Sequence, residues 1–489
     1  MSTNYLVVMA KSVKINFIFN LINTTSGLLF PLITFSYASR IIMAEGIGQV
    51  NFYNSIISYI TLFSSIGIPL YGIREIARVR DCKAELSRTT IEILVLNLLL
   101  NIIGYAAVAI ICITVSRVQA NIPLFLLLSV SIALTTIGCS WFYSGIEEFK
   151  YITTRNLIVK IISVVYLLCV VKTQDDLLLY GIYIVLGTIG NNILNFLRLR
   201  KYVFLKSIQF ERINIWRHFK PAMSIFIFNI VTSIYLNLDK IMLGFFQDDQ
   251  AVGYYTAATN LSHVLLYTVT SLGAVLLPRS SNLIKNNKID EFSRLSYKAY
   301  RVVLILSCPI TFGVICLAEP LIHLFCGSGF DPAIITLRII SPIIIIIGIS
   351  NIVGMQVLYP LGKIKIVTIS TCVGAALNFI CNIIYIPIYS QNGAAFATVL
   401  AELSVTLTQI IIASKYIPFK IIDSVSVKYF CFSLLMFGIC LIVATLLTSD
   451  IQKICILPIA GLFVYLALLL VSKDEFVYEI LNIIKTKIK

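Results

Sequence analysis

Five ionisable residues lie inside long apolar segments of the sequence, where a charge is costly. Asp239 and Lys240 are adjacent in one segment, His263 lies in the next, and Arg338 and Glu402 lie in two later ones. A charged side chain at the centre of a bilayer costs about 2.5–3.5 kcal/mol on insertion scales, so such residues are retained mainly for function. In this pattern they could bind an anion, hold a coupling cation or carry a proton.

The bases Arg40, Lys240 and Arg338 all fall on the predicted outer side of the membrane. We predict that they form a cationic lining for an anionic substrate. The alternative is that each long side chain extends to the outer interface, where its charge meets water. Glu92, at the inner end of an apolar segment, is expected to reach water in the same way.

The acidic residues Asp239 and Glu402 could bind a coupling cation, either a proton or a sodium ion, or could neutralise these bases. His263 could carry a proton, because a histidine titrates near neutral pH; a hydrogen-bonded packing histidine is the alternative. No metal site is predicted, since the 12 cysteines include no CxxC pair and no Cys/His ligand spacing. No cofactor is predicted either.

Four asparagines are predicted to add a polar lining. Asn378 and Asn382 are four residues apart on one helix face. Asn20 and Asn229 occupy equivalent positions of an internal repeat described below. Hydrogen bonding between helices explains any one of them, but the repetition favours a shared cavity.

The composition assigns the chain to one broad class. Of its 489 residues 58% are hydrophobic and only 12% are charged, about half the charged fraction of a soluble domain. A soluble fold of this size could not bury so much apolar surface. A nucleic-acid partner is not expected despite the net charge of +15, because the bases are spread over short loops. An all-α polytopic membrane protein remains, with membrane lipids around it.

Fourteen segments are apolar and long enough to be transmembrane helices. They lie near 14–37, 49–71, 91–115, 122–144, 156–172, 177–197, 221–246, 251–277, 301–323, 333–358, 365–388, 393–414, 428–447 and 454–472. With the N-terminus inside, the inner segments hold 32 of the 38 basic residues, so the positive-inside rule predicts that both termini are cytoplasmic.

An internal repeat divides the chain. Phe17–Asn20 recurs as Phe226–Asn229 and Pro69 recurs as Pro278, both 209 residues later. The repeat predicts two parallel six-helix halves around a central cavity, plus two C-terminal helices. The predicted organisation is a first half, a cytoplasmic linker, a second half and two additional helices with a cytoplasmic tail, at 1–200, 201–220, 221–416 and 417–489.

Several stretches resemble one exporter family in order along the chain. They are Arg40–Gly48, Gly67–Ala77, Trp141–Lys150, Asp239–Gly244 and Val252–Ala258, followed by Asn378, Ile386–Pro387 and Gly393–Ala395. Together they resemble the Wzx-type O-antigen and capsular polysaccharide flippases of the multidrug/oligosaccharidyl-lipid/polysaccharide exporter superfamily. The last two apolar segments carry no such motif.

The resemblance implies a flippase and not an enzyme. Such proteins move an undecaprenyl-pyrophosphate-linked oligosaccharide from the inner to the outer leaflet of a bacterial inner membrane, by alternating access coupled to a cation. Contact with the polysaccharide polymerase machinery is a possible further partnership. The resemblance implies a functional role for five residues that match the family's motifs: Arg40, Arg74, Glu75, Asp239 and Lys240. Arg74 and Glu75 would form a gate or receive the head group at the cytoplasmic rim, or only an ion pair that caps a helix.

Two other functions are compatible with parts of the sequence. A drug or cation antiporter of the same superfamily would favour acidic over basic groups in its cavity, and this chain offers both. A membrane-embedded polysaccharide polymerase or glycosyltransferase would need a large external loop or a carboxylate-rich cytoplasmic domain, and the sequence has neither.

Overall fold

The computed structural model describes residues 2–204 and 213–478, and within these ranges every regular element is helical. Side chains are described except in 2–21, 23–25, 28–29, 227–229, 231–236, 272 and 274–275. The all-α fold is confirmed. It follows from the lipid environment, because backbone groups in lipid must be hydrogen-bonded within the segment itself.

The chain divides into two compact units, Met1–Gly253 and Tyr254–Lys489. The helices of the first are α1 Ser2–Ser65, α2 Ile68–Val79, α3 Lys83–Thr114, α4 Ser116–Gln119, α5 Ile122–Ile137, α6 Ser140–Gly145, α7 Phe149–Val170, α8 Leu177–Ile189, α9 Asn191–Leu199, a 3₁₀ turn Ile215–His218 and α10 Phe219–Phe246. The boundaries predicted from the repeat at 200, 220 and 416 remain a prediction.

One long helix, α11 Asp249–Lys285, begins in the first unit and continues in the second. The second unit then contains α12 Ile289–Cys326, α13 Pro332–Ile340, α14 Ile343–Asn351, a π-helical segment Ile352–Leu358, α15 Ile364–Ala413, α16 Ser424–Thr445 and α17 Asp450–Val471.

Two helices contain a sharp break. Met43 in α1 has φ 60° and ψ 178°, and Ser390 in α15 has φ 51° and ψ −133°. Neither residue is a glycine, so each positive φ is uncommon and marks a true turn. Each 50-residue stretch, Phe30–Val79 and Ile364–Ala413, would otherwise extend over roughly twice the thickness of the hydrocarbon core. The breaks therefore separate two predicted spans in each case.

The predicted span count is only partly tested. Among the described residues, ten helices are long and apolar enough to cross a membrane, or eleven if the bent pair α8 and α9 is one span. All fourteen predicted segments lie largely on helical backbone, but the number fourteen is not confirmed.

Helix α2 packs closely on the short helix α6 in the first unit. A Cβ on Gly72 would lie 2.7 Å from the ring of Trp141, and one on Gly145 would lie 2.7 Å from the side chain of Ile76. All four residues are buried. Two glycines therefore set the distance between the helices and leave no room for a larger side chain.

We expect Gly72→Val to destabilise the protein by about 1–3 kcal/mol, the usual cost of overpacking a well-packed site. The matched control is Gly438→Val, because a Cβ on Gly438 meets nothing within 4 Å in its helix. The thermal unfolding midpoint in detergent should fall for the first variant and stay near wild type for the second. Equal losses would show that helix propensity, and not packing, limits the site.

Candidate functional site

The charged pair Asp239 and Lys240 lies on α10 in the first unit. Asp239 is buried, and the half-buried Lys240 donates a hydrogen bond from Nζ to Asn51 Oδ1 on α1 at 3.4 Å. Asn51 in turn donates to the carbonyl of Ile47 at 2.8 Å. The lysine predicted to bind an anion is thus held inside the helix bundle by a neutral amide, next to the carboxylate of Asp239 in the sequence.

An apolar cavity of about 560 Å³ lies beside this pair, between α1, α3 and α10. Its lining includes Tyr59, Phe63, Ile241 and Phe245. Such walls favour hydrocarbon over a phosphate group, since a charge without polar partners is costly to bury. The cavity could take a lipid chain next to a charged site.

At the predicted outer end of the first unit, α1 meets the first residues of α11. A Cβ on Gly48 would lie 1.6 Å from the backbone oxygen of Asp249, and one on Gly253 would lie 2.0 Å from that of Ala44. Arg117 fastens this contact, because its guanidinium meets Asp249 Oδ1 at 2.8 Å and the carbonyl of Gln247 at 3.1 Å.

The sequence alone did not identify this ion pair. The available signal was that Gly48 and Gly253 both lie in stretches that carry the family resemblance.

The remaining predicted charged residues are distributed over both units. Arg40 is exposed on α1 in the first unit. In the second, Arg338 is exposed in the last turn of α13, while His263 on α11 and Glu402 on α15 are partly buried. Their predicted roles remain predictions.

Of the predicted polar lining, the structure brings one pair together. Asn378 and Asn382 are fully buried on α15, and Asn382 Nδ2 donates to Asn378 Oδ1 at 3.1 Å. Their predicted common helix face is therefore observed, and their role as a cavity lining remains a prediction. The side chains of Asn20 and Asn229 lie outside the described residues.

The predicted cytoplasmic rim forms an ion-pair cluster within α2. Glu75 Oε1 lies 3.3 Å from Arg74 Nη2 and 3.0 Å from Arg78 Nη1, and both arginines are exposed. Arg74 also lies over the ring of Tyr71, 5.5 Å from its centroid. The ion pair expected as one alternative is present, and Arg74 remains accessible to a ligand.

Glu92 does not reach water, so the expectation for this residue is wrong. Its side chain is 0% exposed and contacts Arg217 Nε at 2.8 Å, His218 Nε2 at 2.9 Å and the amide of Asn214 at 2.9 Å. His218 Nδ1 also pairs with the Tyr71 hydroxyl at 2.7 Å. The end of the linker is thereby fixed to α2 and α3 through one buried carboxylate.

We expect Glu92→Gln to destabilise the protein by about 1.5–3 kcal/mol, the typical worth of a hydrogen bond to a charged group. The amide cannot accept from all of these partners, and it leaves Arg217 and Arg88, whose Nε lies 3.3 Å from Glu92 Oε1, without this counter-charge. Glu85→Gln is the matched control, since Glu85 is exposed on the first turn of the same helix. Unfolding midpoints in detergent test the difference, and equal midpoints for both variants would contradict it.

Burial lowers the pKa of His218 below its ordinary value of 6.5, although the hydrogen bond to Glu92 opposes this shift and Arg217 adds to it. The unfolded chain then takes up a proton near pH 6.5 while the folded chain resists it, so stability falls as the pH drops below about 6.5. We expect the midpoint of wild type to fall more than that of His218→Gln between pH 7 and 5. Parallel pH profiles would contradict this.

A larger cavity lies in the second unit. It measures about 790 Å³ and is lined almost entirely by hydrocarbon from α12, α16 and α17, including Phe312, Met436, Pro458 and Leu462. The two C-terminal helices, for which the sequence carried no motif, thus form two of its walls.

The chain is similar in structure to the lipid II flippase MurJ in an inward closed conformation, with a TM-score of 0.71 and 18% identity over 94% of this chain and 100% of that chain. It also resembles an inward-facing multidrug resistance MATE family transporter of the MOP superfamily, with a TM-score of 0.60 and 11% identity over 81% of this chain and 98% of that chain. The molecule is a multi-pass membrane protein with this transporter fold.

Similarity in sequence assigns the chain to a family within this class of membrane transporters. The family described as "Polysaccharide biosynthesis protein" matches residues 13–284, and the MatE family matches residues 224–384. A Shigella dysenteriae protein named "Putative O-antigen transporter" is 24% identical over 379 residues, which are 78% of this chain and 94% of that protein. Because the first match covers more than half of the sequence, the chain belongs to the polysaccharide biosynthesis protein family.

Proposed function

We propose that the protein is a flippase that moves an undecaprenyl-pyrophosphate-linked oligosaccharide from the inner to the outer leaflet of a bacterial inner membrane. The observation that carries the proposal is the match to an O-antigen transporter over 94% of that protein's length. Transport changes no covalent bond, so the protein acts as a carrier and not as an enzyme. Both termini are cytoplasmic in this proposal.

The geometry supports an amphiphilic substrate. Each unit has an apolar cavity, of about 560 and 790 Å³, that suits a polyprenyl chain. The charged residues suit the other end of the molecule, because arginine and lysine bind phosphate through charge-assisted hydrogen bonds. Arg40, Lys240 and Arg338 would receive the pyrophosphate after Arg74 and Glu75 meet it at the cytoplasmic rim.

The other polar residues complete the proposed cycle. Asp239, Glu402 or His263 would take up a proton or sodium ion that drives the return step. Amides would bind the sugars. Asn378 and Asn382 bond to each other in this structure, so they would have to exchange that bond for one to a sugar hydroxyl. Asn20 and Asn229 are proposed for the same lining because of their equivalent positions in the repeat. A polysaccharide polymerase in contact with the flippase would receive the transported product.

Deleting the gene tests the function directly. We expect the surface polysaccharide to be lost while lipid-linked repeat units accumulate on the inner leaflet. Wild-type gene on a plasmid should restore both. Unchanged surface glycan with altered dye efflux would instead favour the antiporter, which the match of residues 224–384 to the MatE family keeps as the second candidate.

The cationic site can be tested by complementation with Lys240→Gln and Arg338→Gln. Losing one charge-assisted contact of about 1.5–3 kcal/mol should reduce transport by roughly ten- to a hundredfold at equal protein level. Lys150→Gln is the matched control, because Lys150 is exposed in the first turn of α7. Wild-type activity in both test variants would remove these bases from the substrate path.

A further inference from the structure

A pocket of about 460 Å³ lies between α7 and α9 in the first unit, away from the residues assigned above. Two arginines line it, Arg155 and Arg198, together with Tyr151, Thr154 and the aliphatic side chains of Ile158 and Leu197. The positive-inside rule places these helix ends on the cytoplasmic side of the membrane. Neither arginine is explained by the proposed flippase function.

Arg155 is a buried charge without an acidic partner. Its side chain is only 5% exposed, and no ion pair among the described residues includes it. Nε and Nη2 both donate to the neutral Asn156 Oδ1, at 3.3 and 2.9 Å, while Nη1 is buried and has no hydrogen-bond partner in the part of the chain that the structure describes. An uncompensated buried charge is strongly unfavourable, so a missing anion is the simplest explanation.

Arg198 and Arg155 both lie next to the ring of Tyr151. The guanidinium carbon of Arg198 is 3.8 Å from the centroid of Tyr151, and that of Arg155 is 5.3 Å from it. Glu148 accepts from Arg198 Nη2 at 3.4 Å, but Arg198 Nε is buried and finds no partner among residues 2–204 and 213–478. One acid thus offsets one of two bases, which leaves the pocket with a net positive charge.

The surroundings of the pocket match lipid rather than water. Ile158 and Ile162 of α7 and Leu194 and Leu197 of α9 are all exposed. In a membrane protein such side chains face the acyl chains of the bilayer. A ligand that filled this pocket would therefore carry an anionic head group and hydrocarbon chains that run along the outer surface of the two helices.

We propose that this pocket binds the phosphate of an anionic phospholipid of the inner leaflet, with Arg155 and Arg198 donating to its oxygens. Arginine suits this task because the N–H groups of its planar guanidinium can donate two parallel hydrogen bonds to phosphate oxygens. The net positive charge favours a phosphodiester without a compensating ammonium, so phosphatidylglycerol should bind better than phosphatidylethanolamine. The bound lipid would neutralise Arg155 and hold α7 against α9.

The test uses the full-length protein, purified in detergent and stripped of lipid, with native mass spectrometry as the readout. We expect phosphatidylglycerol to bind about tenfold more tightly than phosphatidylethanolamine with the same acyl chains, a difference of one strong charge-assisted contact. Arg155→Gln should remove most of this preference. Arg200→Gln is the matched control, because Arg200 is an exposed arginine just after α9.

A second variant distinguishes loss of lipid binding from loss of folding. Thr154 is exposed and lines the pocket, so Thr154→Phe should block it while both arginines are retained. Phosphatidylglycerol should bind this variant about as weakly as Arg155→Gln by loss of the same contact. Wild-type binding by Thr154→Phe, with Arg155→Gln either also at wild type or unfolded, would overturn the proposal.

Competition separates the possible sources of the phosphate. Inorganic phosphate at the same concentration should not displace phosphatidylglycerol, because it lacks the acyl contacts. A polyprenyl pyrophosphate should not displace it either. Displacement by inorganic phosphate would reduce the site to an anion site, and displacement by the polyprenyl compound would assign the pocket to the transported substrate; each result overturns the phospholipid assignment.

Discussion

A charge inside this protein must find a partner close by, because lipid supplies none. Glu92 shows how strongly the constraint acts, since it draws a backbone amide and two side chains of the linker end around one carboxylate. Lys240 is held by an asparagine, and Arg117 by an aspartate and a carbonyl. Arg155 has no acidic partner among the described residues, and the proposed phospholipid would supply one.

The helical architecture could be predicted from the sequence because it follows from composition alone. A long apolar segment in lipid can satisfy its backbone only as a helix, and all fourteen predicted segments lie largely on helix. The gaps between predicted segments at 38–48 and 389–392 contain the breaks at Met43 and Ser390, but the residue at which each helix turns could not be predicted. Neither residue is a glycine or a proline, the residue types that most strongly mark such a break in a sequence.

The partners of the charged residues could not be predicted from the sequence either. Glu92 bonds to Asn214 and His218, which are 122 and 126 residues away along the chain. Local spacing predicts which residues share a helix face, as it did for Asn378 and Asn382, but it carries no information on which loop folds over a helix end. For that reason Glu92 was expected at the water interface and Arg155 was not singled out at all.

The glycine contact at the outer end of the first unit has a mechanical consequence. Gly48 and Gly253 let two backbones touch without interlocking side chains, so no knob has to be withdrawn from a hole when they separate. Such a contact has few side-chain atoms of its own, so directional bonds at its edge add to it. Arg117 and Asp249 supply such a bond, which breaks abruptly over a short distance instead of stretching. Backbone contact at the two glycines and one ion pair at its edge therefore hold α1 against the start of α11.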